Sequence, residues 1–384
     1  IDLMVLTRLS AWRIVFGKWS SIVSQSVLIF LAVIPYLILR YFFGGMQLFA
    51  ELFLMIYILI MSGVFTAITV GLSAVPNVII RGLVPIVGGY FLMIFIFAAL
   101  TANLQEFVGY LSASSTGEFL GALGFLALVI YTGYYFLDLA AGMIAPASEN
   151  RTTRKRLIGL AAFTACFWSL QHWELMAAMS AAVFVMSLLA LEALTERNDF
   201  PGVVCRPFVR FGVLGRLFGR FFYPGWPSGT LFLALLGAVL AGCLAIHDIR
   251  HGPELEAWAM IGITLAILVF PASLIQLFVR KTEQRFSVYT ALFITGWVLT
   301  FILSILYEVI SEGVLLWIFS PIPMMLVPLT GEHWRRNEEA VMILSWGLAL
   351  LYYVIVLIGA RPWLKAIGTR ENEELERLEQ GDGS

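Results

Sequence analysis

The side chains able to do chemistry in this 384-residue sequence are few, and their spacing excludes more than it supports. His172, His247, His251 and His333 fall in or near loops without metal-ligand spacing, and no His-Glu-x-x-His occurs. Cys166, Cys205 and Cys243 have neither metal nor disulfide spacing, which leaves them as small apolar fillers. No Gly-x-x-x-x-Gly-Lys-Ser/Thr phosphate loop is present: "VFGKW" lacks both the leading glycine and the hydroxyl that would hold Mg²⁺. The expectation is therefore no catalytic residue, metal or cofactor in this chain. Asp138 in "YYFLDLAAG" is the one acid set about one and a half turns inside an apolar run, where an ionisable group is by default a candidate for function. It is the candidate for transport or gating, with Tyr134 and Tyr135 as hydrogen-bonding neighbours and structural satisfaction as the competing account. Glu51, Glu192 and Glu308 lie near the ends of their runs, within reach of water.

The elements that must position these residues are membrane helices. The sequence is 60% hydrophobic and 13% charged, where a soluble domain carries roughly 25% charge. Its mean hydropathy is +0.90. Continuous apolar stretches of about 20 residues recur, each able to cross a hydrocarbon core of about 30 Å, and their continuity excludes an alternating β-barrel. The expected fold is all-α and polytopic, with spans at 21–41, 48–73, 82–101, 119–143, 157–171, 174–194, 229–247, 257–279, 287–309 and 340–360. The apolar stretch 313–330 holds Pro321, Pro323 and Pro328, each of which removes an amide donor, and a re-entrant hairpin is expected there. The first apolar run is too long for a cleavable signal peptide, and the missing initiator Met leads us to expect sequence upstream of Ile1.

Charge placement orients the chain. With both ends in the cytoplasm and 313–330 re-entrant, 20 of the 24 basic residues lie inside; only Arg40, Arg250, Arg335 and Arg336 lie outside. Scattered basic loops of this kind do not make a nucleic-acid surface. The expected setting is the cell membrane.

The opening segment "LTRLSAWRIVFGKW", followed by a span and Gly44-Gly45, resembles the permease subunits of ABC exporters of the type-2 family. Leu6, Thr7, Leu9, Ser10, Ile14, Gly17 and Lys18 stand at the places of that family's Leu-Leu-x-Thr-Pro-Leu-Ser-x-x-x-Ile-x-x-Gly-Lys pattern, with Arg8 in place of the proline. A lesser echo is "GLSAVPNVIIRG" at 71–82, where the family has a short small-residue loop. The resemblance implies that residues 1–20 form a coupling segment docking onto a separate cytoplasmic nucleotide-binding ATPase, which would carry ATP and Mg²⁺. It further implies that 21–143 are helices three to six of one permease half, with the first two upstream. Residues 144–156 would be a basic linker, 157–360 a second six-helix half, and 361–384 a charged cytoplasmic tail. On the residues alone, Arg8 and Lys18 flanking Trp12 also suit an ordinary basic helix flank that snorkels at the interface.

In the loop 195–228, a single helix would place Arg206, Arg210, Arg216 and Arg220 within an arc of about 120°, beside an arc of phenylalanines and one of glycines. Such a helix would lie on an anionic leaflet. Glu196, Arg197 and Asp199 are the exposed contacts expected where a second coupling element would be; a membrane anchor without a partner is the alternative. The tail "TRENEELERLEQGDGS", with Glu373 and Arg377 at i,i+4, reads as a short exposed helix with a disordered end. Three functions suit the whole: the membrane subunit of an ATP-driven exporter of hydrophobic or amphipathic cargo, with or without further permease or accessory subunits; an ion-coupled carrier, disfavoured by the scarcity of midplane charge; and an anchoring subunit of a larger membrane complex.

Overall fold

A computed structural model describes residues 10–44, 48–75, 81–82, 116–145, 150–172, 175–198, 200–278, 285–296 and 338–381. Regular structure among them is helical: α1 (Ala11–Phe42), α2 (Leu48–Ser73), α3 (Thr116–Ile144), α4 (Thr152–Leu170), α5 (Leu175–Ala193), α6 (Arg206–Val209), α7 (Gly212–Phe222), α8 (Trp226–His251), α9 (Leu255–Phe278) and α10 (Glu338–Gly381). A 3₁₀ turn at Gly202–Cys205 leads into α6, and residues 285–296 are also helical.

Seven of the described helices are long and apolar enough to cross a membrane: α1, α2, α3, α5, α8, α9 and α10. The sequence led us to expect ten spans. Of the other three, α4 carries Arg154, Lys155 and Arg156 in its first turns, which lowers its hydropathy below that of the seven. The span expected at 82–101 lies outside the described residues apart from Gly82, and that at 287–309 is described only to 296. The re-entrant stretch 313–330 also lies outside them.

The chain divides into two compact units. The first, Ile1–Glu149 with Trp168–Ala178, brings α1, α2 and α3 together. Its apolar core joins Ala11 and Val15 of α1, Ala67 and Val70 of α2, and Leu137, Ala140 and Ala141 of α3. Small residues set the spacing, as between membrane helices generally. A Cβ on Gly71 would stand 2.6 Å from the Phe136 carbonyl oxygen, so α2 and α3 meet backbone to backbone. Trp19 donates its indole N–H to the Gly63 carbonyl at 2.8 Å, tying α1 to α2. Helix α1 starts ten residues earlier than its expected span. Nothing between Ala11 and the apolar run breaks the helix, and the Ser20 hydroxyl bonds back to the Gly17 carbonyl at 3.1 Å. At 32 residues α1 is about 48 Å long, well over the hydrocarbon thickness.

The second unit holds Asn150–Phe167 and Met179–Ser384. Its most extensive packing is α9 against α10. Gly262 faces Ser345, Gly359 faces Gln276, and Ala259, Ile263 and Ile267 pack with Phe293, Met342 and Leu348. Indole and phenol groups pin the helices at backbone carbonyls: Trp346 donates to Trp258 O at 3.1 Å, and Tyr353 of α10 to Thr230 O of α8 at 2.9 Å. Tyr289 donates to Leu268 O at 2.7 Å, next to the carbonyl that Pro271 leaves without its helical donor. Trp258 donates to Asp248 Oδ2 at 2.7 Å, closing the α8–α9 turn. Helix α10 does not end with its apolar run. It continues through Pro362 to Gly381, 44 residues or about 66 Å, so the expected separate tail is one rod with the last span.

Candidate functional site

The Arg and Lys ion pairs of the second unit, among the described residues, gather around the segment from Glu196 to Trp226 and the end of α10. Two clusters form there, one tying this segment to α4 and α5, the other tying it to α10.

The first is built on Arg156, in the first turns of α4 and 3% exposed. Its guanidinium donates to Glu196 Oε2 at 2.9 Å and to the carbonyls of Phe221 (3.1 Å), Tyr223 (2.7 Å) and Gly225 (3.2 Å). A planar fork suits this task, and a lysine could not reach all four acceptors. Glu196 also accepts the Gly225 amide at 3.0 Å and the Thr152 hydroxyl, while its own carbonyl accepts the Trp226 amide at 3.1 Å. Gly225 adopts φ +107°, a conformation that favours glycine, and a Cβ there would meet Asn198 Oδ1 at 2.6 Å. Lys155 pairs with Glu192 at 2.5 Å, and Thr153 donates to Phe222 O at 2.9 Å. Burial pulls the Arg156 guanidinium down and pushes the Glu196 carboxyl up, and each partner's charge opposes that shift. The bonding pattern, three carbonyls on the cation and three donors on the anion, is that of an ion pair. Beside it, Arg285 stacks on the Trp226 ring at 4.1 Å and is pulled down to about 10 by burial.

The second cluster seats the end of α10. Ile367, Leu364, Leu375 and Leu378 pack on Phe200, Val204, Cys205, Val209 and Tyr223. Among these apolar groups lie Glu371 and Glu374, each 1% exposed. Arg220 reaches Glu371 at 3.2 Å, Arg206 reaches Glu374 at 3.6 Å, and Arg377 joins Glu374 at 2.7 Å. Arg216 donates to Asn372 at 3.1 Å. Arg370 caps the carbonyls of Asn198 and Phe200 at 3.3 and 3.2 Å and lies over the Phe200 ring. Cys205 and Tyr223 sit beside Glu371; burial, then that charge, pushes the Cys205 thiol up to about 11, and burial raises the Tyr223 phenol as well.

This seat gives a direct readout. Cys205 is fully buried, so iodoacetamide at pH 8 should alkylate it at least tenfold more slowly than an exposed thiol with a pKa near 8.5. The double replacement Arg206→Ala and Arg220→Ala removes the counter-ion of Glu371 and one of the two on Glu374, and should restore most of that rate, scored by mass spectrometry. Unchanged labelling would show that the apolar contacts and the Arg370 caps suffice to hold α10 in place.

Several expected site residues stand elsewhere than anticipated. Glu196 is not an exposed contact: its carboxylate is consumed by Arg156, Gly225 and Thr152. Arg197 is exposed, and Asp199 lies outside the described residues. The single amphipathic helix over 206–222 is interrupted, because the chain turns at Arg210–Phe211 and Gly212 takes φ +68°. The break changes the phase, so Phe208 stacks on Phe222 in the interior, while Arg206, Arg216 and Arg220 turn to α10 and Arg210 stays exposed. Leu6, Thr7, Arg8 and Leu9 lie outside the described residues. Ser10 is exposed ahead of α1, and Gly17 and Lys18 lie within that helix, the lysine ammonium 3.5 Å from the Ser73 hydroxyl. Asp138 is 1% exposed, because α1 and α2 pack over that end of α3. Sequence reasoning missed Arg156, Glu371 and Glu374. Their signal was present as charge beside an apolar run, but Arg156 meets Glu196 across 40 residues and Glu371 meets Arg220 across 151.

No group of three or more His, Cys, Asp and Glu suited to a metal occurs among the described residues. Helix length and hydropathy define a multi-pass helical membrane protein. No protein family model matches the chain, and neither a curated protein nor a solved structure does.

Proposed function

We propose that this chain is the membrane subunit of an ATP-driven exporter, moving a hydrophobic or amphipathic substrate with energy from a separate cytoplasmic ATPase that binds ATP and Mg²⁺. One observation carries the reading: the segment from Glu196 to Trp226 is bonded to α4 and α10 and is continuous with α5 and α8. Force applied to that segment is delivered to four helices at once, which is what a transmission element requires. The excess of basic residues at this end supports its cytoplasmic placement. The opening pattern around Leu6–Lys18 supports the same assignment; since α1 begins at Ala11, its docking contact falls to residues 1–10 and the first turns of α1. Asp138, buried near the same core, is the gating candidate on the first unit.

The test is purification of the chain in mild detergent from its own host, followed by reconstitution. A nucleotide-binding subunit in fixed ratio is expected, together with ATP-dependent movement of a fluorescent amphipath. Replacing Arg8 and Lys18 by alanine should abolish that movement without reducing membrane insertion. Transport that persists without ATP and collapses with an ion gradient would overturn the proposal in favour of an ion-coupled carrier. Stable membrane partners without any ATPase would overturn it in favour of an anchoring subunit.

A further inference from the structure

Helix α7 has three faces. At 100° per residue, Gly215, Gly219 and Phe222 form one, which is buried: a Cβ on Gly215 would overlap the Phe208 carbonyl, and one on Gly219 the Tyr223 hydroxyl. Arg216 and Arg220 form the second and reach Asn372 and Glu371. The third carries Val213, Leu214, Leu217 and Phe218, extended by Phe211, and every one of these large apolar side chains is exposed, Val213 by 84% and Phe211 by 79%. The interior and α10 thus account for two faces and leave the most apolar one open.

We infer that this open face is embedded at the headgroup–acyl boundary of an anionic lipid leaflet. Three features select lipid as the occupant. Only residues 223–225 separate α7 from Trp226, the first residue of the apolar helix α8, so Phe222 stays within about 14 Å of that helix's start. The 11 residues of α7, about 16 Å, are too short to cross a bilayer and suit one lying in its surface. The side chains bordering the apolar face are Arg210, Arg216 and Arg220, which complement anionic headgroups, and Arg220 is 46% exposed even while bonded to Glu371. The helix is therefore a two-sided fastener that grips lipid with its apolar face and the end of α10 with its arginines. This conclusion does not depend on what the chain transports.

The test uses the full chain in nanodiscs of phosphatidylcholine alone or mixed with phosphatidylglycerol. An environment-sensitive fluorophore is attached at Leu217→Cys and, independently, at Val213→Cys. The native cysteines are buried, and their lack of labelling is checked on the parent chain. Arg197→Cys, in the exposed loop, serves as the water reference. Insertion predicts that aqueous iodide quenches the α7 labels at least about threefold less than the reference, that lipid-borne quenchers near the headgroups quench them strongly, and that phosphatidylglycerol deepens both effects. Iodide quenching equal to the reference in both lipids would overturn the inference. Shielding from both quenchers would also overturn it, because it would place a protein on this face.

Discussion

Replacing Arg156 by methionine is expected to destabilise the second unit by about 3–5 kcal/mol, the usual cost of removing one partner from a buried ion pair. The loss is large because one guanidinium serves four acceptors. Without it the Glu196 carboxylate stays in a closed site with the Gly225 amide and the Thr152 hydroxyl, and the carbonyls of Phe221, Tyr223 and Gly225 lose a donor together. At about 2–4 °C per kcal/mol for a unit of this size, the thermal midpoint should fall by roughly 6–20 °C, followed by size-exclusion chromatography after heating in detergent. Arg156→Lys should fall between the two, keeping charge without the fork. Replacing both Arg156 and Glu196 by methionine should recover part of the loss, since no charge is then stranded. A single-variant shift below about 2 °C would mean that water enters this site and already solvates the carboxylate.

Gly229→Ala should be comparably damaging with the addition of one carbon. Its Cβ would overlap the Ala193 carbonyl oxygen and lie 3.0 Å from the Ala193 Cα, so the obstacle is backbone and not the end of a mobile side chain. Neither strand of chain can retreat easily. Just past Ala193, Glu196 is bonded to Gly225 and Trp226, which lead directly into Gly229. Overpacking of this kind costs about 3 kcal/mol or more when nothing can yield. The yield of monodisperse protein should drop sharply, with Gly229→Leu worse. The control is Gly242→Ala, on the same helix with open space around it, which should be neutral or slightly stabilising. Equal behaviour of the two glycine variants would contradict the close approach of α5 and α8.

These two sites mark where the sequence stops being informative. Where a run of apolar residues meets punctuation, its ends can be read directly: the expected span at 48–73 coincides with α2, which sits between Gly44-Gly45 and Pro76. Hydropathy is a local property, and local rules suffice for it. The interruption at Arg210–Gly212 was not legible, because helical periodicity continues arithmetically through a turn that only a positive-φ glycine reveals. The seat of α10 was less legible still. The sequence shows arginines in one loop and acids in a tail, but their pairing depends on α10 continuing past Pro362, where a proline and a fall in hydropathy both suggest an end. Burial then reverses the ordinary reading of Glu371 and Glu374, which look like solvated tail charges and are enclosed.

The bond between Arg220 and Glu371 joins residues 151 positions apart. A ribosome adding 5–20 residues per second needs about 8–30 s to cover that distance. For that interval the nascent chain holds a finished α7 and an unfinished seat: Phe200, Cys205, Val209 and Tyr223 have been made, while the leucines and carboxylates that cover them have not. The open apolar face of α7 gives the early segment somewhere to rest, and the arginines that later meet Glu371 and Glu374 are held at the surface near which α10 must emerge. Helix α10 thus closes this seat late, and synthesis halted before residue 364 would leave a chain with six of the seven described spans made and its seat empty.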